Sequence, residues 1–146
     1  MGVLDDAVAV WHAARVADGK EPDGERIRRV RQKLEDPDAL LVVVERAGGV
    51  VAMALAEPFR ERDGAGPVVE GRGHVSMVFV HPGSQGQGVG RELMTRLIEV
   101  APWSRLSLWT RDENMRARRL YAAVGFTESA DVGSTPHGDP IHRWER

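Results

Sequence analysis

A chain of 146 residues fits one domain with one modest core, so function is expected from a single fold spanning residues 1–146. A net charge of −2, with 18 arginines scattered among 22 carboxylates, argues against a nucleic acid partner, and the absence of cysteine excludes disulfides, thiolate zinc sites and a cysteine nucleophile. The opening Met1-Gly2-Val3-Leu4-Asp5-Asp6 lacks the basic and apolar regions of a signal peptide, and no long apolar span follows, which predicts a cytoplasmic protein with no membrane partner.

Helical spacing of Val8, Trp11 and Ala14/Arg15 predicts a helix from Leu4 to Val16, and Ile27, Val30, Arg31 and Leu34 predict a second over Gly24 to Glu35. The apolar runs Ala39 to Val44 and Val50 to Ala56, joined by Ala47-Gly48-Gly49, predict an antiparallel hairpin covered on both faces. Pro58 to Gly73, rich in Gly, Pro and charge, reads as a loop. Val75 to Val80 predicts a strand, followed by a glycine turn and a helix whose Val89, Leu93, Leu97 and Val100 share one face. A strand over Ser104 to Thr110, a helix over Asn114 to Val124 and strands over Phe126 to Ser129 and Ile141 to Trp144 complete an α/β order α-α-β-β-β-α-β-α-β-β. His81 before Pro82 reads as turn structure, and Met77 and Met94 as core filler.

The stretch Ser76 to Glu99 packs four glycines between a strand and a helix. Such a turn aims backbone N–H groups and the positive end of a helix dipole at one point, which suits a phosphate. Gly83 and Gly88 have the spacing of the outer glycines of a P-loop, but Val89 and Gly90 replace its Lys and Ser/Thr, which disfavours an NTPase. Gly86-Gln87-Gly88-Val89-Gly90 followed by Arg91 is not the G-x-G-x-x-G of a dinucleotide fold, and it comes late in the chain.

Gln85-Gly86-Gln87-Gly88-Val89-Gly90, a Q-x-x-G-x-G run, resembles the acyl-CoA-binding motif of the GCN5-related N-acetyltransferase (GNAT) superfamily. A second block, Asn114-Met-Arg-Ala117-Arg-Arg-Leu120-Tyr121-Ala-Ala-Val-Gly125-Phe126, is similar to the family's N-x-x-A-x-x-L-Y-x-x-x-G-F. The resemblance implies a mostly antiparallel mixed sheet, flanked by helices and splayed between the strands near 75–80 and 104–110. It departs at the start, where the family has a strand before the first helix and here at most Met1 to Val3 precede it.

What the resemblance implies for single residues is specific. Gln85, Gly86, Gln87, Gly88, Val89, Gly90 and Arg91 would hold the CoA pyrophosphate, main-chain groups of Val78 and Val80 would pair with pantetheine, and Val78 N–H would polarise the thioester carbonyl. Asn114 would position the pantetheine arm and cap its helix; Tyr121 would protonate the departing thiolate. His74 stands where several members keep the general base, and Ser76 is placed to relay its proton, with Glu57 and Glu70 as alternatives acting through water. Bland readings stand beside these: a ligand-free glycine turn, a core Tyr121, an Asn114 that only caps, a surface His74 and a solvated face for Arg116, Arg118 and Arg119.

The implied reaction is direct attack by an amine on acetyl-CoA in a ternary complex, with no metal. The acceptor pocket would be built from the first two helices, the loop from Glu57 to Gly73 and the loop from Asp131 to Asp139, with Trp109 as a wall. Glu57, Asp63, Glu70, Asp131 and Asp139 offer carboxylates for a cationic amine. A small-molecule amine is the expected acceptor. Protein N-terminal or lysine acetylation, a non-catalytic acyl-CoA-binding module and a turn for another nucleotide phosphate are the alternatives, and a homodimer stays open.

Overall fold

The computed structural model describes residues 2–146, with the side chain of Asp63 outside the described set. The element order follows the expected alternation: α1 (Val3–Ala17), α2 (Gly24–Glu35), β1 (Leu40–Arg46), β2 (Gly49–Arg60), β3 (Val68–Val80), α3 (Val89–Val100), β4 (Arg105–Arg111), α4 (Met115–Ala123), β5 (Thr127–Ser134) and β6 (Pro140–Glu145). The strands form one sheet in the order β1-β2-β3-β4-β6-β5. The β1–β2, β4–β6 and β5–β6 pairs are antiparallel and β3–β4 is parallel. Contacts group the chain into two compact units, one holding the chain to Ala56 with Met77–Val100, the other Glu57–Ser76 with Ala101–Arg146.

In the first unit, Asp23 caps α2 by accepting a hydrogen bond from Arg26 N at 2.8 Å. The periodic apolar faces then close one core from Ala7, Val8, Val10 and Trp11 of α1, Val30 and Leu34 of α2, and Met53 and Leu55 of β2, with Met77 and Phe79 packed against it. Ala47 and Gly48 both take positive φ, which lets the short turn match the twist of the β1–β2 hairpin. Both faces of β2 are covered: Ala52, Met53, Ala54, Leu55 and Ala56 are all fully buried. Val89, Leu93 and Leu97 of α3 are buried as their spacing predicts, and Met94 joins them. Val100 does not, at 54% exposed, because the helix ends there and its last turn lies past the core.

In the second unit, most of the expected Pro58 to Gly73 loop is strand. β2 runs on to Arg60 and β3 begins at Val68, leaving only residues 61–67 as a connector with a single 3₁₀ turn at Arg62–Gly64. Strand hydrogen bonds use the backbone and are indifferent to side-chain polarity, so charge and glycine hid these segments. β5 likewise extends to Ser134, shortening the expected Asp131 to Asp139 loop. The core of this unit holds Val75, Leu106, Leu108, Tyr121, Phe126 and Trp144. Gly73 is required by packing: a Cβ there would lie 2.3 Å from the Trp103 ring. Among the described residues no strand precedes α1, Met1 lies outside them, and no helix is long and apolar enough to cross a membrane.

Candidate active site

In the first unit, β3 ends at Val80 and delivers the chain into the glycine turn. His81 fixes that exit: its N–H donates to Val51 O at 2.7 Å and its Nδ1 accepts from Gly83 N at 3.1 Å, capping a 3₁₀ turn over Pro82–Ser84. This is the turn role expected of His81. Gly86 and Gly88 follow at φ +78° and +75°, in the left-handed region that only glycine enters freely. A Cβ on either would meet nothing within 4 Å, so the space it would fill is open to a ligand. Gly88 O accepts from Glu92 N at 3.1 Å, so the amides of Val89, Gly90 and Arg91 precede the first helical donor and are left for another acceptor.

A groove of about 410 Å³ continues from the turn along α3, lined by Gly88, Arg91, Glu92, Thr95, Arg96 and Glu99. Glu92 is already engaged there. Arg46 lies 2.6 Å from it and Arg96 3.2 Å, and the bond to Arg46 holds the Glu92 carboxyl below its usual range. The exposed Arg91 makes no ion pair among the described residues. The turn therefore offers an anion the first amides of α3 with a guanidinium beside them. Gln85, Gln87, Val89 and Gly90 lie in this same turn, with Val78 and Val80 on the strand that feeds it.

In the second unit, the β3–β4 ladder pairs Arg72–Val75 with Arg105–Leu108 and, among the described residues, ends there. His74 sits on that ladder opposite Ser107, well inside the strand and not at a loop end. Its Nδ1 lies 3.0 Å from the Oγ of Ser107, a residue only 1% exposed. Ser76, two residues on, donates to Glu57 Oε2 at 3.4 Å. The Phe59 ring meets His74 edge-on at 6.2 Å. His74, Ser76, Glu57 and Phe59 thus gather on the β2–β3 face, while the exposed Glu70 takes no part in those contacts.

Sequence reasoning missed Ser107, Phe59 and two arginines. Arg72 lies 4.0 Å over the Phe59 ring, and Arg143 sits 5.5 Å from Phe59 and 5.0 Å from Trp109. Trp109 is half-buried, as a pocket wall would be. Alternation on β6 signals that Ile141, Arg143 and Glu145 share a face; that this face meets Trp109 depends on the Trp109 to Arg143 register. Three carboxylates expected to attract a cationic amine are engaged within the protein. Glu57 takes the Ser76 hydroxyl, Asp131 pairs with Arg143 at 3.2 Å and Asp139 bonds Thr135, while the Asp63 side chain lies outside the described residues.

α4 carries the remaining two candidates. Asn114 caps it, its Oδ1 accepting from Ala117 N at 3.1 Å, which satisfies the capping half of its expected role. Tyr121 faces the core, 7% exposed, with its ring edge-on to Phe126 at 6.0 Å. Burial pushes its hydroxyl up to about 12, so the phenol stays protonated throughout the neutral range. Arg118 spans Glu128 and the Trp144 ring and is not simply a solvated side chain. Asp112, Glu128 and His142 form a separate cluster at the β4–α4 corner, with His142 Nδ1 2.6 Å from Asp112.

The Acetyltransferase (GNAT) family profile matches residues 7–126, which contain both motif blocks. The chain belongs to the GNAT family. It is 29% identical to the mycothiol acetyltransferase of Kineococcus radiotolerans over 88% of this chain and 41% of that one. It is 31% identical to the L-methionine sulfoximine/L-methionine sulfone acetyltransferase of Salmonella typhimurium over 93% of this chain and 77% of that one. The chain thus spans well under half of the first relative and about three quarters of the second. The structure of Salmonella typhimurium yncA with its cofactor acetyl-CoA superposes with a TM-score of 0.73 at 22% identity, over 99% of this chain and 90% of that one, a likeness of fold.

Proposed function

We propose that this chain is an acetyl-CoA-dependent N-acetyltransferase whose acceptor is the amine of a small molecule. The observation that carries the reading is the glycine turn, where Gly86 and Gly88 hold positive φ with open space at both Cβ positions, immediately before the unbonded amides that open α3 in a GNAT chain. Acetyl-CoA supplies an activated thioester. Gly86 to Arg91 bind its pyrophosphate through main-chain N–H groups, and Val78 and Val80 present main-chain groups to the pantetheine arm. Asn114 orients that arm from the start of α4.

His74, whose ring meets the Ser107 hydroxyl, accepts the ammonium proton, and Ser76 with Glu57 offers a second route for it. Tyr121, held as a phenol, donates its hydroxyl hydrogen to the departing sulfur. Relatives named for mycothiol and for L-methionine sulfoximine support a small acceptor.

Thermal unfolding with acetyl-CoA, CoA, ATP and NAD tests the cofactor. A ligand at 100 times its Kd adds about 2.7 kcal/mol, so acetyl-CoA and CoA raise Tm by several degrees and ATP and NAD do not. Thiol release across a panel of amines then tests the transfer. No shift with either CoA compound overturns the proposal.

A further inference from the structure

Beside the Glu57 carboxylate bonded to Ser76, two guanidiniums gather at the ring that borders His74. The Phe59 ring borders the His74 ring at 6.2 Å, the Arg72 guanidinium at 4.0 Å and the Arg143 guanidinium at 5.5 Å. An acceptor amine reaching His74 arrives as an ammonium and meets two guanidiniums, Arg72 paired with Glu145 and Arg143 with Asp131. An acceptor that carries its own anion a few bonds from the amine brings a group that a guanidinium there can hold.

Arg143 is built to meet such an anion. Its guanidinium lies between the Phe59 and Trp109 rings, which favour a planar cation and hold it in place. Its Nε is shielded from solvent and has no hydrogen-bond partner among the described residues, an unmade bond that costs stability. Its one ion pair among the described residues runs to Asp131, a side chain 56% exposed, and pairs with so exposed a partner are weak. Arg72, by contrast, is shared with Glu145 at 3.8 Å. A carboxylate entering beside Phe59 displaces the Asp131 contact and takes the guanidinium through two parallel N–H donors, leaving the ammonium of the same molecule toward His74.

We infer that Arg143 reads a carboxylate on the acceptor, so that the acceptor is an amino acid or a close derivative and not a polyamine or another purely cationic amine. This rests on the acetyltransferase reading above and narrows it. Arg143 touches the non-reacting end of the acceptor and sets specificity.

The test compares an L-amino acid, L-methionine sulfone, with its carboxamide, in the wild type and in Arg143→Gln and Arg143→Lys, with Tm and acetyl-CoA KM measured on each variant to establish that it folds. The wild type prefers the acid by roughly 10²-fold in kcat/KM, and Arg143→Gln erodes that preference by at least tenfold, mainly through acceptor KM, while acetyl-CoA KM holds. Arg143→Lys keeps part of the preference, since it restores the charge without the fork. Equal use of acid and carboxamide by the wild type, or an equal loss on both in Arg143→Gln, overturns the carboxylate role and leaves the acetyltransferase intact. Absence of thiol release with every amine, in protein that acetyl-CoA still stabilises, overturns the acetyltransferase reading and this inference with it.

Discussion

The hydroxyl of Tyr121 belongs to the chain's single tyrosine, so its ionisation can be read without interference from another phenol. Burial raises its folded value to about 12, above the roughly 10 of an unfolded tyrosine. The neutral phenol is therefore the form the fold prefers. The associated stability is fully present below pH about 10 and is lost as the pH climbs from there to about 12, on the order of 3 kcal/mol in all. Absorbance near 295 nm should show a tyrosinate midpoint well above 10 in folded protein, and Tyr121→Phe should flatten the alkaline decline in Tm; a midpoint at 10 contradicts the burial. At the same scale, His74→Ala should lower kcat by roughly 10²-fold at neutral pH with acetyl-CoA stabilisation preserved, and a full-rate variant removes His74 from the chemistry.

At the scale of elements, the glycine turn and the end of α1 offer a controlled comparison. Gly88 and Gly19 sit at φ +75° and +74°, and a Cβ on either meets nothing within 4 Å. Gly19 only closes α1, where Lys20 N reaches back to Arg15 O at 2.9 Å. Alanine at either position should cost about 1–2 kcal/mol of stability, from backbone strain alone. Only Gly88→Ala should also abolish the stabilisation by CoA, because its methyl group occupies the approach to the α3 amides. Equal CoA responses in the two variants would make the turn structural. Gly73→Ala should destabilise by about 1–3 kcal/mol for a different reason, overlap with Trp103, and a change in tryptophan fluorescence should accompany it.

For the whole molecule, the surface ion pairs are a minor support. Arg31 with Asp5 and Arg46 with Glu92 are each about 40% exposed, and pairs of that kind contribute little once solvent screens them. Raising salt to 0.5 M should therefore move Tm by no more than about 4 °C, while weakening the response to CoA, whose phosphates bind through charge. A collapse of Tm in salt would mean that charge, not the apolar cores, holds the chain together. The order of ten elements, the exact span of α2 and the glycine turn before α3 were legible in the sequence, because period, capping and glycine placement are local properties that a chain carries in neighbouring residues. The outer halves of β2 and β3 were not, since backbone pairing with a neighbouring strand made them extended in spite of their charge, glycine and proline. Nor were the Ser107 partner of His74 and the Phe59, Trp109 and Arg143 stack, which join residues 33 to 84 positions apart. The sequence alone determined the glycine turn before α3 and the family motifs around it; strand order and register, set by burial over the whole sheet, decided which side chains gather around His74.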